Sequence, residues 1–403
     1  MLAVGVSYFD PSGVNAVTAS AGSGANFGDG KAAAAAVIEY LNRYGGIGGR
    51  QIKPVYESVN PSSSQTFSSD REAECSAFTS DKHVFAVVDE VDSLENLFFA
   101  KCLAQHETVY VNSFARDIID DKTLTSLAPY MYEPADISGA GYRAVVDQLA
   151  AAGYFNPGYK LGVVTIDDPA TRAVYDREIK PALSRHGITV RVDEYLPPIQ
   201  SVSGAATTVQ AASSAVLRFR SQGITHVLML TGGGTSWMFM QAAQSQDYHP
   251  RYGLTSKETP VLDQGNAPAA QYHNSLMAAW IPAMDIPDQS KSARAPNADV
   301  CLRIFKSAGL DIPDQTAEHY YLVLCDGLFF LRAALVHASA TIDAKVLSAG
   351  VAALGTSYSS SATLGTLFGP GIFAGVNLIN VATYDDGCSC FRYSAHQGRV
   401  SRS

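Results

Sequence analysis

Strand-like and helix-like patterns alternate along this chain twice over, and that alternation limits the fold more than any single motif. In the first half, Leu2–Ser7, Ile52–Val59, Val84–Val88 and Val109–Asn112 read as short apolar strands, separated by helical patterns near Lys31–Tyr44, Ser64–Thr79 and Leu94–Gln105. In the second half the strands are expected at Leu161–Ile166, Thr189–Tyr195, His226–Thr231 and Gly253–Thr255, with helices near Ala170–Arg185, Ala206–Ser221 and Ser236–Ser245. Two consecutive runs of this kind predict an α/β protein with two Rossmann-like lobes, each a parallel sheet covered by helices on both faces.

The connections say how the lobes are joined. Leu127–Pro134 is extended and aromatic and reads as a crossing from one lobe to the other, and Leu276–Ala283 is a second extended stretch. The helical pattern Thr316–Ala340 is too apolar to stand alone, so the chain is expected to return to the first lobe and cover its free sheet face. Val376–Thr383 has the period of a strand. This places residues 1–130 and 284–403 in lobe 1 and residues 131–283 in lobe 2, with a ligand cleft outside the carboxyl ends of the strands.

A glycine cluster, Gly45-Gly-Ile-Gly-Gly49, invites a phosphate-binding reading, but its context is reversed. A dinucleotide loop follows a strand and opens a helix; this one follows the helical spacing of Ala34, Val37, Ile38 and Leu41 and precedes a strand. Gly45 and Gly46 are therefore expected to end the helix, and Pro54 in the strand beyond them argues for a sheet edge. Gly232–Gly234 do lie between a strand and a helix, yet no Lys and Ser/Thr follow in the P-loop arrangement, so they read as a sharp turn or a close backbone approach to a ligand.

Composition removes other classes. The 403 residues, 47% of them hydrophobic, suffice for two cores, and a net charge of −9 without a long basic run gives no footing for nucleic acid or an anionic membrane. No apolar stretch reaches the ~18–20 residues of a membrane span. The start, MLAVGVSYFD, enters a strand at once with neither a basic region nor a cleavage site, as in a chain whose targeting segment has been removed or a cytosolic one. Six cysteines, an even number without CxxC spacing, suit an oxidising compartment, the alternative being buried free thiols. No metal site, cofactor motif, GxSxG elbow or HExxH pattern is present, so no enzyme is expected.

The segment AAVIEYLNRYGGIGGRQIKPVYES resembles the helix, glycine turn and edge strand of type I periplasmic binding proteins, in the branch of the branched-chain amino-acid receptors of ABC transporters. KLGVVTIDD, AAQSQDYHPRYGLTS and AEHYYLVLCDGLFFLRAAL follow in the family's order, so the resemblance spans nearly the whole chain. It implies two lobes joined by a three-crossing hinge that close on a small-molecule ligand, a membrane permease and ATPase as partners, a monomer, and export, with a lipid anchor on the outer face of the cell membrane. With the family's strand order, 2-1-3-4-5, the helices carrying Cys75 and Cys102 lie side by side, which implies that these two are bonded. Cys301 and Cys325 on successive helical segments are a second pair, and Cys388 and Cys390 either bond to each other or stay thiols.

The strand-end loops then supply the candidate ligand contacts. Lobe 1 offers Tyr8, Phe9 and Asp10, then Asp89, Glu90 and Ser93, then Ser113 and Phe114, with Tyr132 in the first crossing. Lobe 2 offers Asp167, Thr231, Gly232, Trp237 and Glu258. Amino-acid-binding members of the family hold the ligand carboxylate with Ser and Thr hydroxyls, whereas this chain places Asp89, Glu90 and Asp92 there, where like charges at ~4 Å repel by about 4 kcal/mol. The acids and rings together favour an aromatic, apolar or cationic ligand over a branched-chain amino acid. Competing readings are that Asp92 with Glu95, and Asp167-Asp168, only cap helices, and that each aromatic is core packing. As whole-protein alternatives there remain a ligand-sensing receptor ectodomain and a nucleotide-dependent α/β enzyme.

Overall fold

The structure is a computed structural model; it describes residues 1–20, 24–91, 96–114, 117–201, 204–263, 265–287, 294–338 and 341–401. One sheet has the order β2-β1-β3-β4-β5, built from β1 (Leu2–Phe9), β2 (Ile52–Val59), β3 (Ala86–Asp89), β4 (Val109–Asn112) and β5 (Met131–Tyr132), all parallel. β2 is an edge strand, which is why Pro54 is tolerated in it. The helix Gly30–Arg43 ends as its glycines require: Gly45 and Gly46 have φ of 92° and 72°, and the Gly46 N–H donates to the Leu41 carbonyl at 2.8 Å. A side chain at Gly46 would strike the Arg50 carbonyl oxygen, its Cβ falling 1.9 Å away.

Strand alternation gives this sheet two apolar faces. Val4, Val6, Val88 and Val111 pack against the helices Gly30–Arg43 and Gln315–Ala334, so the apolar returning helix does cover the first sheet. Val87 and Tyr110 face the other way, towards Cys75, Phe78 and Phe99. Cys75 is bonded to Cys102, joining the helices Phe67–Ser76 and Asn96–Gln105 on that second face, with Cα atoms 6.3 Å apart. Cys301 and Cys325 are bonded on the first face, and Cys388 and Cys390 close an exposed turn.

The second sheet has the order β12-β11-β10-β9-β8-β6-β7, from β6 (Leu161–Ile166), β7 (Val190–Leu196), β8 (His226–Leu230), β9 (Arg251–Thr255), β10 (Leu276–Ala279), β11 (Leu378–Asp385) and β12 (Cys390–Arg399). Two expectations are corrected here. The tail strand joins the second sheet rather than the first, so the 284–403 segment does not belong wholly to the first lobe. Nor is this sheet entirely parallel, because β11 runs antiparallel to β10 and forms a hairpin with β12. The short turn Asp386–Ser389 sets the β11–β12 pairing: strands joined that closely pair antiparallel, while a parallel return would need a crossover helix.

Between the sheets the chain passes three times, through residues 133–138, through 280–287 and 294–297, and through 354–377. These passages are tied to one another. Glu133 N–H donates to the Phe373 carbonyl and Gly375 N–H to the Glu133 carbonyl, each at 2.9 Å, while the Trp280 carbonyl accepts from the Thr363 hydroxyl at 2.7 Å. Asp326, buried in the returning helix, accepts from Tyr358, Ser360 and the Ser361 N–H of the third passage and from Ser113 at the end of β4. A carboxylate that collects so many donors fixes the third passage to the first sheet.

Candidate functional site

Contacts between the segments that follow the strands show that the carboxyl ends of the two sheets face each other. Lys257, just beyond β9, reaches the Asp117 carbonyl beyond β4 at 3.2 Å and forms an ion pair with Asp136 in the first crossing. Arg177 pairs with Asp120, and Leu262 packs onto the cluster of Phe9, Phe27, Val59, Val91 and Tyr320. Lys257 is 2% exposed and Asp136 fully buried, so each charge depends on the other.

Aromatic rings line this junction. Phe27 stacks on Tyr320 at 4.5 Å with Phe9 edge-on to both; Tyr320 adjoins His319 at 5.1 Å, and His319 stands edge-on to Phe114 at 4.9 Å. Lys257 Nζ lies 5.8 Å from the Phe114 ring. Phe114, Tyr142, Trp280 and Val323 share one apolar cluster.

Within this apolar setting several buried polar atoms have no hydrogen-bond partner among the described residues: both ring nitrogens of His319, Trp280 Nε1, the Tyr142 hydroxyl, Glu90 Oε2 and Glu133 Oε1. Such atoms are costly to leave unpaired, which makes this junction the candidate binding site. Burial pushes the Glu90 carboxyl well above its usual range, with Asp89 and Asp29 adding to it, and does the same to Glu133, where Asp136 adds and Lys257 pulls back. Burial pushes the His319 imidazole down to about 3, so it stays uncharged at neutral pH.

That shift has a measurable sign. The unfolded chain takes a proton on this ring below about pH 6.5, whereas the folded chain does so only near pH 3, so His319 draws stability down as the pH falls through that window, by about 1.4 kcal/mol per pH unit. Compared with His319→Phe, the wild type is expected to lose about 2 kcal/mol between pH 7 and pH 5, read as a widening gap between urea midpoints. A gap that stays constant would mean that the folded ring is solvated.

The sequence-derived contacts divide. Phe9, Phe114 and Glu90 lie at the junction, Glu90 Oε1 accepting from the Phe9 N–H at 3.2 Å. Asp89 does not face a ligand: it is held by Arg71 at 2.7 Å and by the Tyr110 hydroxyl at 2.6 Å, because it projects from the sheet face opposite to its neighbours in sequence. Tyr8 packs edge-on against Tyr56 of the edge strand, and Asp10 caps the helix Pro11–Ser20 through Ser12 and the Gly13 N–H. Ser113 is spent on Asp326, and Tyr132 is core between Phe330 and Phe373. Asp167 is exposed and paired with Arg172, while Asp168 caps the next helix.

In the second lobe, Glu258 is buried and satisfied, accepting from the N–H groups of Thr231, Gly232 and Thr255 and from the Thr255 hydroxyl. Thr231, Gly232 and Glu258 thus brace one another instead of presenting free groups, and Gly232, at φ 72°, supplies the turn. Trp237 packs, half-buried, on the cluster around Phe239. Ser93, with the capping expected of Asp92 and Glu95, lies outside the described residues. Sequence reasoning missed His319, Trp280, Tyr142, Phe27 and Tyr320, each of which reads locally as ordinary core. Only for Lys257, a lone basic residue at a strand end, was there a local signal.

Comparisons with known proteins agree with this fold. The family model described as periplasmic binding protein matches residues 14–334. Among solved structures, an ABC transporter substrate-binding protein of Desulfitobacterium hafniense in complex with Leu is 14% identical, with TM-score 0.63 over 98% of this chain and 99% of that one. A solute binding protein of an ABC transporter from Rhodopseudomonas palustris BisB5, in complex with 3,4-dihydroxy benzoic acid, is 12% identical, with TM-score 0.67 over 100% and 98%. The branched-chain amino acid transporter substrate binding protein of Streptococcus pneumoniae, in complex with isoleucine, is 11% identical, with TM-score 0.63 over 99% of each chain. A comparison with curated protein sequences finds no match.

Proposed function

This chain belongs to the periplasmic binding proteins, and on that premise we propose that it captures a small molecule between two lobes outside the cytoplasm and delivers it to the permease of an ABC importer. The first lobe comprises the β1–β5 sheet and the helices that cover it, the second the β6–β12 sheet, and the three passages form the hinge on which they close. Three disulfides support an oxidising compartment, and tethering to the membrane by a lipid is part of the same proposal. No helix among the described residues is long and apolar enough to cross a membrane.

The observation that carries this reading is the set of unpartnered buried polar atoms among aromatic rings where the strand ends of both sheets meet. The rings favour a solute with an aromatic or apolar body, and two of the structural relatives bind hydroxylated benzoic acids. Protein purified without unfolding, then denatured and analysed by mass spectrometry, is expected to release one small molecule in near-stoichiometric amount. Refolded protein is expected to be stabilised by that molecule, which at ~100 times its Kd adds about 2.7 kcal/mol and raises the melting temperature by at least about a degree. Release of nothing, together with no thermal shift from 4-hydroxybenzoate, 3,4-dihydroxybenzoate, leucine or isoleucine, would remove the proposal.

A further inference from the structure

Resting on the solute-binding reading, we propose that His319 contacts the solute directly and selects for a hydroxyl group carried on an aromatic or apolar body that packs against Phe114 and Tyr320. His319 lies near the start of the helix Gln315–Ala334, whose first turn is fastened to the second crossing by Gln315, donating to the Ala283 and Ile286 carbonyls at 2.9 and 2.6 Å. That end of the helix therefore lies at the lobe junction and not over the middle of the sheet. One turn further on, Val323 packs in the same cluster as Phe114 and Trp280, so the His319 face of the helix looks towards the site.

The imidazole is fully buried, and neither nitrogen meets a partner among the described residues. A neutral imidazole always carries one N–H donor and one lone pair. A histidine kept only for packing would be better replaced by phenylalanine, which fills a similar shape without two unpaired polar atoms. The ring keeps its polarity for something the site receives. Because its surroundings hold it uncharged, it is suited to a neutral group that both accepts and donates, which a hydroxyl does. A carboxylate can only accept, and this uncharged ring would give it no charged partner.

The test is a thermodynamic cycle on the full chain, stripped of solute by unfolding and refolding. Calorimetry would compare three matched pairs of probes: tyramine with phenethylamine, 4-hydroxyphenylacetate with phenylacetate, and 4-hydroxybenzyl alcohol with benzyl alcohol. The wild type is expected to bind the hydroxylated member of at least one pair at least tenfold more tightly than its partner. His319→Phe is expected to abolish that ratio while retaining the weaker binding of the partner, and to melt no lower than the wild type. His319→Gln, whose amide again offers a donor and an acceptor, is expected to restore part of the ratio and serves if the Phe variant does not fold.

A ratio unaffected by His319→Phe, or equal binding of both members of every pair by the wild type, would overturn the assignment. So would the absence of binding by all six probes, which would reject this ligand class. The solute-binding reading itself is judged separately, by whether the unstripped protein releases a small molecule on denaturation.

Discussion

Replacing Arg71 with methionine is expected to lower the free energy of unfolding by about 3–5 kcal/mol, the cost of breaking a buried ion pair by removing one partner. Arg71 is 1% exposed, and its guanidinium donates to Glu74 and Asp89 at 2.7 Å, to Asn96 at 2.7 Å, to the Ser7 hydroxyl at 2.9 Å and to the Val91 carbonyl at 3.1 Å, with its Cζ 4.6 Å from the centre of the Phe99 ring. Methionine fills the volume but leaves two buried carboxyls facing each other without a counter-charge. The forked donor geometry serves partners on several elements, so lysine is expected to rescue little. Urea denaturation would show a lower midpoint at an unchanged slope. Since Asp89 directly precedes Glu90, the same variant is also expected to weaken solute binding by displacing the end of β3. Replacing the whole group, in Arg71→Met/Glu74→Leu/Asp89→Leu, is expected to recover much of the lost stability, because an apolar triad of similar volume needs no counter-charge. A single-variant cost below about 1 kcal/mol would mean that water reaches the network.

This network also explains where the sequence was legible and where it was not. Strand positions could be read because they depend on local runs of β-branched residues between turns: Ile52–Val59, Val109–Asn112 and Leu161–Ile166 fall where the periodicity puts them. The Cys75–Cys102 bond followed from the strand order that the family resemblance implied, which sets their helices side by side on one sheet face, whereas the state of Cys388 and Cys390 stayed open. The direction of a side chain did not follow, because it depends on partners remote in sequence. Asp89 looked like a cleft acid while its cation, Arg71, sat 18 residues away in a polar stretch that gives no sign of being buried. Tyr8 and Phe9 were both assigned to the cleft although successive strand residues point to opposite faces. His319 was hidden for the opposite reason: a histidine in an apolar helix looks like core, and only its surroundings reveal two nitrogens without partners. The tail hairpin escaped because β12, rich in polar residues, lacks the alternation of a half-buried strand.

Removing the Cys75–Cys102 bond, as Cys75→Ser/Cys102→Ser, is expected to cost about 3 kcal/mol, and removing Cys301–Cys325 about as much again. The bonds span 27 and 24 residues, and loop-closure entropy for spans of that size comes to about 3.5 kcal/mol each, less whatever order the reduced chain retains. They lie on opposite faces of the first sheet, in separate apolar clusters, so their effects are expected to add. The Cys388–Cys390 bond, with a span of 2 in a turn, constrains almost nothing and is expected to be both the first reduced and the least missed. Cys75, Cys301 and Cys325 are fully buried, so the two long bonds should resist reductant until the first lobe opens. Denaturation with and without dithiothreitol separates these terms: full reduction should split the transition, with the first lobe unfolding before the second, which holds only the turn bond. A single transition that moves by less than about 1 kcal/mol on reduction would show that the cross-links add little to lobes already stable through packing, and would remove the argument from the cysteines to an oxidising compartment.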